Sequence, residues 1–389
     1  MSHARGRSQL PRGASVVVVG GGAIGTSIAF HLAEAGVDTC LLERDALSSG
    51  STSRAAGGVR TQFSDPLNVA IGLRGVEAFS RFAERPGGEI DFHQVGYLFL
   101  LDRAEDVGRF ERDVALQNEL GVPSRMLDPE EAARLSPLAG LDGVLAATFC
   151  QLDGHASPEA VTQGYAAGAR KHGAAVLTGC AARTIDVERG AVRGVVTHEG
   201  RIETTTVVCS AGVWSPELAR TAGIDLPVDP VVREVVTTGP ADGLPERIPL
   251  TVDFTTGFYF HREGPGLLIG LADRDQPAGF DVPTDPGWLE RVSEIAARRA
   301  PAFLDMGVAH GWKGYYEVTP DHNGLVGEAH EPSRLLYATG FSGHGFMQAP
   351  AVGEIIRDLV LEREPFVDVS PLAVDRFAEG SLRPERNVI

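Results

Sequence analysis

Residues 16–45, VVVVGGGAIGTSIAFHLAEAGVDTCLLERD, leave a chain few ways to fold. The valine run suits a parallel strand covered on both faces, expected over 15–19. Ile24, Ile28 and Leu32 then recur at helical spacing, and Gly36 marks the helix end. A second strand follows in DTCLLE. Between the first strand and the helix stand Gly20, Gly22 and Gly25, a G-x-G-x-x-G pattern. Gly20 permits a tight turn, Gly22 lets backbone approach a pyrophosphate, and Gly25 lets helix and strand pack closely. The helix start, at Ala23 and Ile24, offers unpaired N–H groups to that phosphate. Glu43 lies 23 residues after Gly20, where it accepts hydrogen bonds from a ribose diol and repels a 2′-phosphate. The pattern specifies a dinucleotide. It does not separate NAD from FAD.

The chain has 389 residues, 43% of them apolar, enough for more than one domain. Alternating strand and helix texture appears at 14–92, 152–225 and 313–389, with sheet-rich insertions at 93–151 and 226–312. This predicts an α/β fold: a Rossmann-like nucleotide-binding domain built from discontinuous segments, and a substrate domain of antiparallel sheet plus helices. Residues 1–13 form a flexible N-terminal tail. Helices are expected over 66–84, over 157–172 behind a Ser157–Pro158 start, in WLERVSEIAARRA, and in EDVGRFERDVALQNELG. The last is expected to face solvent, with Val107, Phe110, Val114 and Leu120 as its apolar side. VVREVVTTG, LTVDF, GFYFHRE and GLLIGLA read as antiparallel strands, the last two joined by an E-G-P-G turn. DRDQPAGFDVPTDPG reads as a surface loop.

Composition excludes several partners. Lys+Arg 35 against Asp+Glu 52 gives a net charge of −17, which disfavours nucleic acid and anionic membranes. Cys40, Cys150, Cys180 and Cys209 form no C-x-x-C pair, so a reducing, cytoplasmic location is expected, with no disulfide and no metal site. No apolar run reaches membrane-spanning length.

Two further stretches choose the ligand. SGSTSRAAGGVRTQF, at 49–63, packs hydroxyls and glycines around Arg54, which suits a segment lying along a phosphate or a planar ring. Near the end, LLYATGFSGHGFMQAPAVGEIIRDLV carries glycines at 340, 343 and 345 ahead of a helix expected to begin near Gln348–Pro350. A helix start is a partial positive charge. A flavin that accepts a hydride gains negative charge along its N1–C2=O edge, and a fixed dipole there stabilises it. A nicotinamide gains no such charge. The tail therefore selects FAD.

With these motifs, and with LDGHASPEAV, VVCSAGVWSPELA and TPDHNGLVGE, the chain resembles the FAD-dependent D-amino-acid oxidase, glycine oxidase and sarcosine oxidase family from about residue 15 to 360. It is most similar in flavour to the amine-oxidising β subunits of heteromeric sarcosine oxidase and proline dehydrogenase. The resemblance implies that Gly20, Gly22, Ala23, Ile24, Gly25, Glu43 and Arg44 hold the ADP half of FAD. Ser51, Thr52, Arg54, Gly57 and Gly58 would line the pyrophosphate and flavin. Ala182 would meet the adenine, with Ala211 and Gly212 nearby, and Gly340, Gly343, His344, Gly345, Phe346 and Met347 would line the ring. Gly314 and Arg54 stand where relatives carry a flavin-bonding cysteine or histidine, so FAD is expected to be non-covalent. Leu268 and Met347 replace an oxygen-activating and a carboxylate-binding lysine, and Tyr316 replaces a carboxylate-binding arginine. These departures count against rapid O2 use and the usual carboxylate clamp.

The implied reaction moves a hydride from the carbon beside a nitrogen to flavin N5, leaving an imine that water hydrolyses. An alkylammonium, with a pKa of about 10.4, must first lose a proton, and burial favours that loss. Candidate substrate or catalytic residues are Arg60, for a carboxylate; Tyr259 and His261, on one face of GFYFHRE; Tyr316, for a polar substrate end; and His344, for ring contact or proton shuttling. Each has a plainer alternative: a paired or surface arginine, an outward strand histidine, a core tyrosine. His155 is expected to position the next helix cap. The expected substrate is a small amine or N-substituted amino acid, and the acceptor is O2 or an electron-transfer partner. The β-subunit resemblance leaves room for a homo- or hetero-oligomer. Two rivals stand beside this: a 2-hydroxy-acid oxidase or dehydrogenase, and a flavoprotein subunit for electron transfer or assembly.

Overall fold

A computed structural model describes residues 10–273, 275–281 and 285–389. Most of the tail expected at 1–13, and positions 274 and 282–284 of the expected surface loop, lie outside the described residues. The valine run forms the strand Val16–Val19, one residue shorter than expected. It lies inside a six-stranded sheet, in parallel register with Thr39–Leu42 on one side and Val207–Cys209 on the other. Ala175–Leu177 extends the first side; Leu335–Thr339 extends the second, and Leu325–Glu328 closes that edge antiparallel.

Strand alternation divides this sheet between two cores. Val16, Val18 and Leu41 face a layer of helices, whereas Val17, Val19, Cys40 and Leu42 face a three-stranded sheet containing Ile185, Val192 and Ile202. In the helical layer, Ala23–Glu34 is flanked by Pro158–Lys171 and Gly345–Val360. Gly353 permits one of these approaches: a Cβ there would overlap the Ser27 hydroxyl. At the other, a Cβ on Gly168 would stand 2.8 Å from the Phe30 ring.

The eight-stranded second sheet runs Val308–Val318, Asp229–Thr238, Gly266–Leu271, Phe258–Glu263, Leu250–Asp253, Tyr97–Leu101, Ala146–Cys150, Ser124–Leu127. It is antiparallel except at one seam, where Leu250–Asp253 pairs parallel with Tyr97–Leu101. Each insertion makes its own antiparallel half, and the halves fuse at that seam. The segment boundary expected at 313 falls inside the continuous strand Val308–Val318, which pairs with Asp229–Thr238 along its length.

Three helices differ from expectation. The helix expected over 66–84 ends at Ser80, and Pro86 follows within a short turn, Ala83–Gly87, which a proline suits better than a helix interior. Ala104–Glu119 is less solvent-facing than its charges suggest. It buries Asp106, Asp113 and Gln117 along with Phe110 and Val114, and Gln117 donates to the Phe63 carbonyl at 2.9 Å. Leu120, expected on the apolar side, caps that helix and is exposed. The last long helix begins at Gly345 rather than near Gln348, which shortens the glycine loop and sets the helix tip beside it. No helix among the described residues is long and apolar enough to cross a membrane.

Arg299, only 1% exposed, ties the two halves of the large sheet together. It ends the helix Trp288–Arg299. Its Nε meets Asp253 Oδ2 at 2.7 Å, its Nη2 meets Asp102 Oδ2 at 2.7 Å, and its Nη1 donates to the Asp142 carbonyl at 2.7 Å. Replacing Arg299 by alanine leaves the buried Asp253 carboxylate with only the more distant Arg298, at 3.8 Å, as a cation, and losing one partner of a buried pair costs about 3–5 kcal/mol. Urea unfolding of Arg299→Ala should show a loss of that size; a loss below about 1 kcal/mol, the range of surface pairs, would place the network outside the core.

Candidate functional site

A cavity of about 440 Å³ opens at the carboxyl ends of Val16–Val19 and Val207–Cys209. The chain leaves the first of these strands toward one side of the sheet and returns on the other, so this is a topological switch point, where α/β sheets bind ligands. The glycine turn shapes its floor. Gly20 has φ of +118°, and a Cβ there would overlap the Ser210 carbonyl. A Cβ on Gly25 would overlap the Gly20 carbonyl, and one on Gly22 would stand 2.9 Å from Thr52 Oγ1. Gly25 does not line this cavity; it serves by letting the helix start at the strand end.

At one end, Glu43 is held by the N–H groups of Gly21, at 2.7 Å, and Asp45, at 2.8 Å. The Arg44 guanidinium lies 4.4 Å over the Trp214 ring, and Ala182 completes this rim. Ala211 and Gly212 also face the space. In the middle, Ser51, Thr52 and Arg54 lie along the cavity, and Thr52 Oγ1 accepts from Ala23 N at 3.2 Å. Trp312 Nε1 donates to the Arg54 carbonyl at 3.1 Å.

The far end is built from Val308–Val318 and the tail loop. Ser342 and Gly343 have positive φ, and a Cβ on Gly343 would overlap the Tyr316 ring. Gly345 and Phe346 open the last long helix with no side-chain cap, so its first N–H groups face the cavity end. Gly340 lines neither cavity; its bare Cα fits against Thr319. Glu317 anchors the loop, accepting from Gly340 N at 2.9 Å and Thr339 Oγ1 at 2.8 Å, while its carbonyl takes Ser342 N at 2.9 Å. Burial pushes the Glu317 carboxyl above its ordinary pKa.

A second cavity, of about 70 Å³, lies beyond this end and shares Arg54, Arg233, Tyr316, Gly343 and Phe346 with the first. Gly57, Gly58, Arg60, Tyr259, His344 and Met347 line it. Arg60 is 1% exposed. Its Nη1 donates to the Gln62 carbonyl at 2.6 Å; its Nη2 donates to the Asn387 carbonyl at 2.6 Å and to His344 Nε2 at 3.0 Å. The His344 ring proton therefore sits on Nδ1. Burial and the Arg60 charge hold its pKa well below the usual range. A neutral ring with its lone pair already engaged does not shuttle protons; His344 lines the inner cavity and not the cradle. Burial pushes the Tyr97, Tyr259 and Tyr316 phenols up, keeping them protonated.

His261 lies outside both cavities. Nδ1 is 2.7 Å from the Arg262 carbonyl, Nε2 is 2.9 Å from the Ala56 carbonyl, and the ring stacks on His155 at 4.3 Å. Both nitrogens face backbone carbonyls, and the neutral ring's single N–H donates to one of them, so His261 packs against the 54–58 loop instead of facing a substrate. The next helix is capped by Ser157, as expected, whose hydroxyl accepts from Ala160 N at 3.3 Å.

Sequence reasoning missed Tyr97, Arg233 and Glu317. Arg233 carried a signal, a charge set within the aliphatic strand VVREVV; Tyr97 and Glu317 carried none, because each acts through contacts far along the chain.

These residues fit FAD. The three bare Cα positions form a cradle that side chains would fill, an acid and a cation–aromatic pair mark one end, and uncapped N–H groups mark the other. A cavity of this volume lies in the range of about 300–1,000 Å³ usual for ligand sites.

Known proteins agree. The model of the family described as "DAO: FAD dependent oxidoreductase" matches residues 15–359. The 4-methylaminobutanoate oxidase (formaldehyde-forming) of Paenarthrobacter nicotinovorans is 31% identical over 97% of this chain and 47% of its own length. Mitochondrial dimethylglycine dehydrogenase of Mus musculus is 29% identical over 94% of this chain and 44% of its own. The chain thus spans about half the length of these two relatives. The crystal structure of L-proline dehydrogenase from P. horikoshii superimposes with a TM-score of 0.92, at 34% identity, over 96% of this chain and 100% of that one. With its dinucleotide cradle at a switch point and an uncapped helix tip at the far end, the chain belongs to the DAO family of FAD-dependent oxidoreductases, and FAD is its cofactor.

Proposed function

We propose that this enzyme oxidises the carbon beside the nitrogen of a small amine or amino acid, releasing an imine that water hydrolyses. Bound FAD supplies the acceptor for the hydride. The observation that carries the reading is the inner cavity, which adjoins the ring end of the FAD cradle and is lined by guanidiniums and neutral phenols. The half-buried acid Glu317 faces the cradle but not this inner cavity. Two positive groups, Arg60 and Arg233, disfavour an ammonium beside them, and burial disfavours it further. The substrate amine is therefore held neutral, with its lone pair free to drive the hydride out. The phenols orient it by hydrogen bonds.

The acceptor we favour is an electron-transfer partner, met in a homo- or hetero-oligomer, ahead of O2. Leu268 is buried in the core of the large sheet, and no lysine lines either cavity among the described residues. A cytoplasmic setting is supported by four buried, unpaired cysteines. Non-covalent FAD is supported by Gly314 and Arg54, which lie against each other at the cradle and offer no nucleophile for a flavin bond.

Acid precipitation of the yellow protein should leave a white pellet and a yellow supernatant; a yellow pellet would disprove non-covalent binding. Anaerobic mixing with amines, amino acids and 2-hydroxy acids should bleach the flavin with the nitrogen compounds. Bleaching by hydroxy acids alone would overturn the reading. Because the inner phenols stay protonated and His344 stays neutral, kcat/KM should rise with pH along the substrate amine's own ionisation. That rise should move when an amine of different pKa is used; a profile that ignored the substrate's pKa would point to an enzyme group instead.

A further inference from the structure

We propose that Arg233, not Arg60, anchors a carboxylate of the substrate, so that the substrate is a small amino acid and not a plain amine. This rests on the oxidation proposed above and narrows it. Arg60 stands where the resemblance puts a carboxylate-binding group, yet its guanidinium is occupied. Both Nη2 donors go to the Asn387 carbonyl and His344, and Nη1 serves the Gln62 carbonyl. It fastens the segment around Asn387, which is itself fully buried, against the pocket wall.

Arg233 is in the opposite condition. It lies on Asp229–Thr238, directly across from Gly314, and borders both cavities. Among the described residues its guanidinium makes one hydrogen bond, Nη1 to the Val232 carbonyl at 3.2 Å, and its buried Nε has no partner. The acid that acts on it from a distance, Asp273, is engaged by Arg291 at 3.3 Å. A half-buried guanidinium with most of its donors unused has lost hydration without gaining partners, and a carboxylate accepted in its planar fork removes that cost. The phenols of Tyr97, Tyr259 and Tyr316 border the same cavity, have no hydrogen-bond partner among the described residues, and remain protonated. They add neutral donors to the anion. Arg233 stacks 5.1 Å from the Tyr316 ring, which fixes its plane. The cavity is small, about 70 Å³, so carboxylate and amine must sit close together.

The same guanidinium would also suit negative charge on the flavin, and the test separates the two. Acetate and its neutral isostere acetamide are titrated into holoenzyme while the flavin spectrum is followed. Wild type should bind acetate in preference to acetamide. Arg233→Gln should weaken acetate by about 10- to 100-fold, the range for hydrogen bonds to a charged group, with FAD content unchanged. Arg233→Lys should restore part of the affinity, and the amino-acid KM should rise more than kcat falls. An unchanged acetate affinity in Arg233→Gln would overturn the proposal, as would a shifted flavin potential with acetate binding intact. Should the variants fail to fold, wild type still decides: an amino acid must exceed its decarboxylated amine in kcat/KM by at least about tenfold. Oxidation of amines without that preference refutes the carboxylate anchor and leaves amine oxidation standing; no bleaching by any amine or amino acid refutes both.

Discussion

Two backbone segments must touch for this molecule to exist as it does. The helix Ala23–Glu34 starts so close to the strand it follows that a methyl group on Gly25 would occupy the Gly20 carbonyl oxygen. That contact aims the helix N-terminus across the carboxyl edge of the sheet. The same edge receives Val207–Cys209 and, through Gly343, the tail helix. Helix starts meet that cavity at the glycine turn and again at its far end, where a ligand negative at its phosphates and negative again at its reduced ring finds complementary partial charge.

Burial dominates the chemistry of the inner site. Arg60, His344, Tyr97 and Tyr259 are buried around a small pocket where any charge is expensive. The protein spends this expense selectively. Neutral groups stay neutral, since the phenols are held up and the imidazole down. Arg60 is compensated by carbonyl oxygens, and Arg233 is left uncompensated beside the substrate space. A pocket with two cations and a neutral lining repels an ammonium, accepts the free amine and attracts an anion, a consistent set of properties for oxidising an amino acid.

The cradle was readable because its requirements are local. Gly22, Gly25, Glu43 and Thr52 find their partners within some thirty residues, and periodicity places the strand and helix around them. Substrate-side residues were harder. His261 and Tyr259 share a strand face, yet Tyr259 reaches the cavity while His261 is diverted to the Ala56 carbonyl by a loop two hundred residues earlier. The parallel seam between Leu250–Asp253 and Tyr97–Leu101 was equally hidden, because each strand looks antiparallel within its own insertion.

Short-range order therefore came from residue identity: which turns need glycine, which runs favour strand or helix, and which dinucleotide suits the tail. Folding in three dimensions settled whose donors remain unspent. Arg60 and Arg233 are the same side chain, and nothing in their neighbours along the chain says that one is consumed by the Asn387 carbonyl and the other is not. Hydrogen-bond capacity is finite, and its allocation depends on groups brought together from hundreds of residues away.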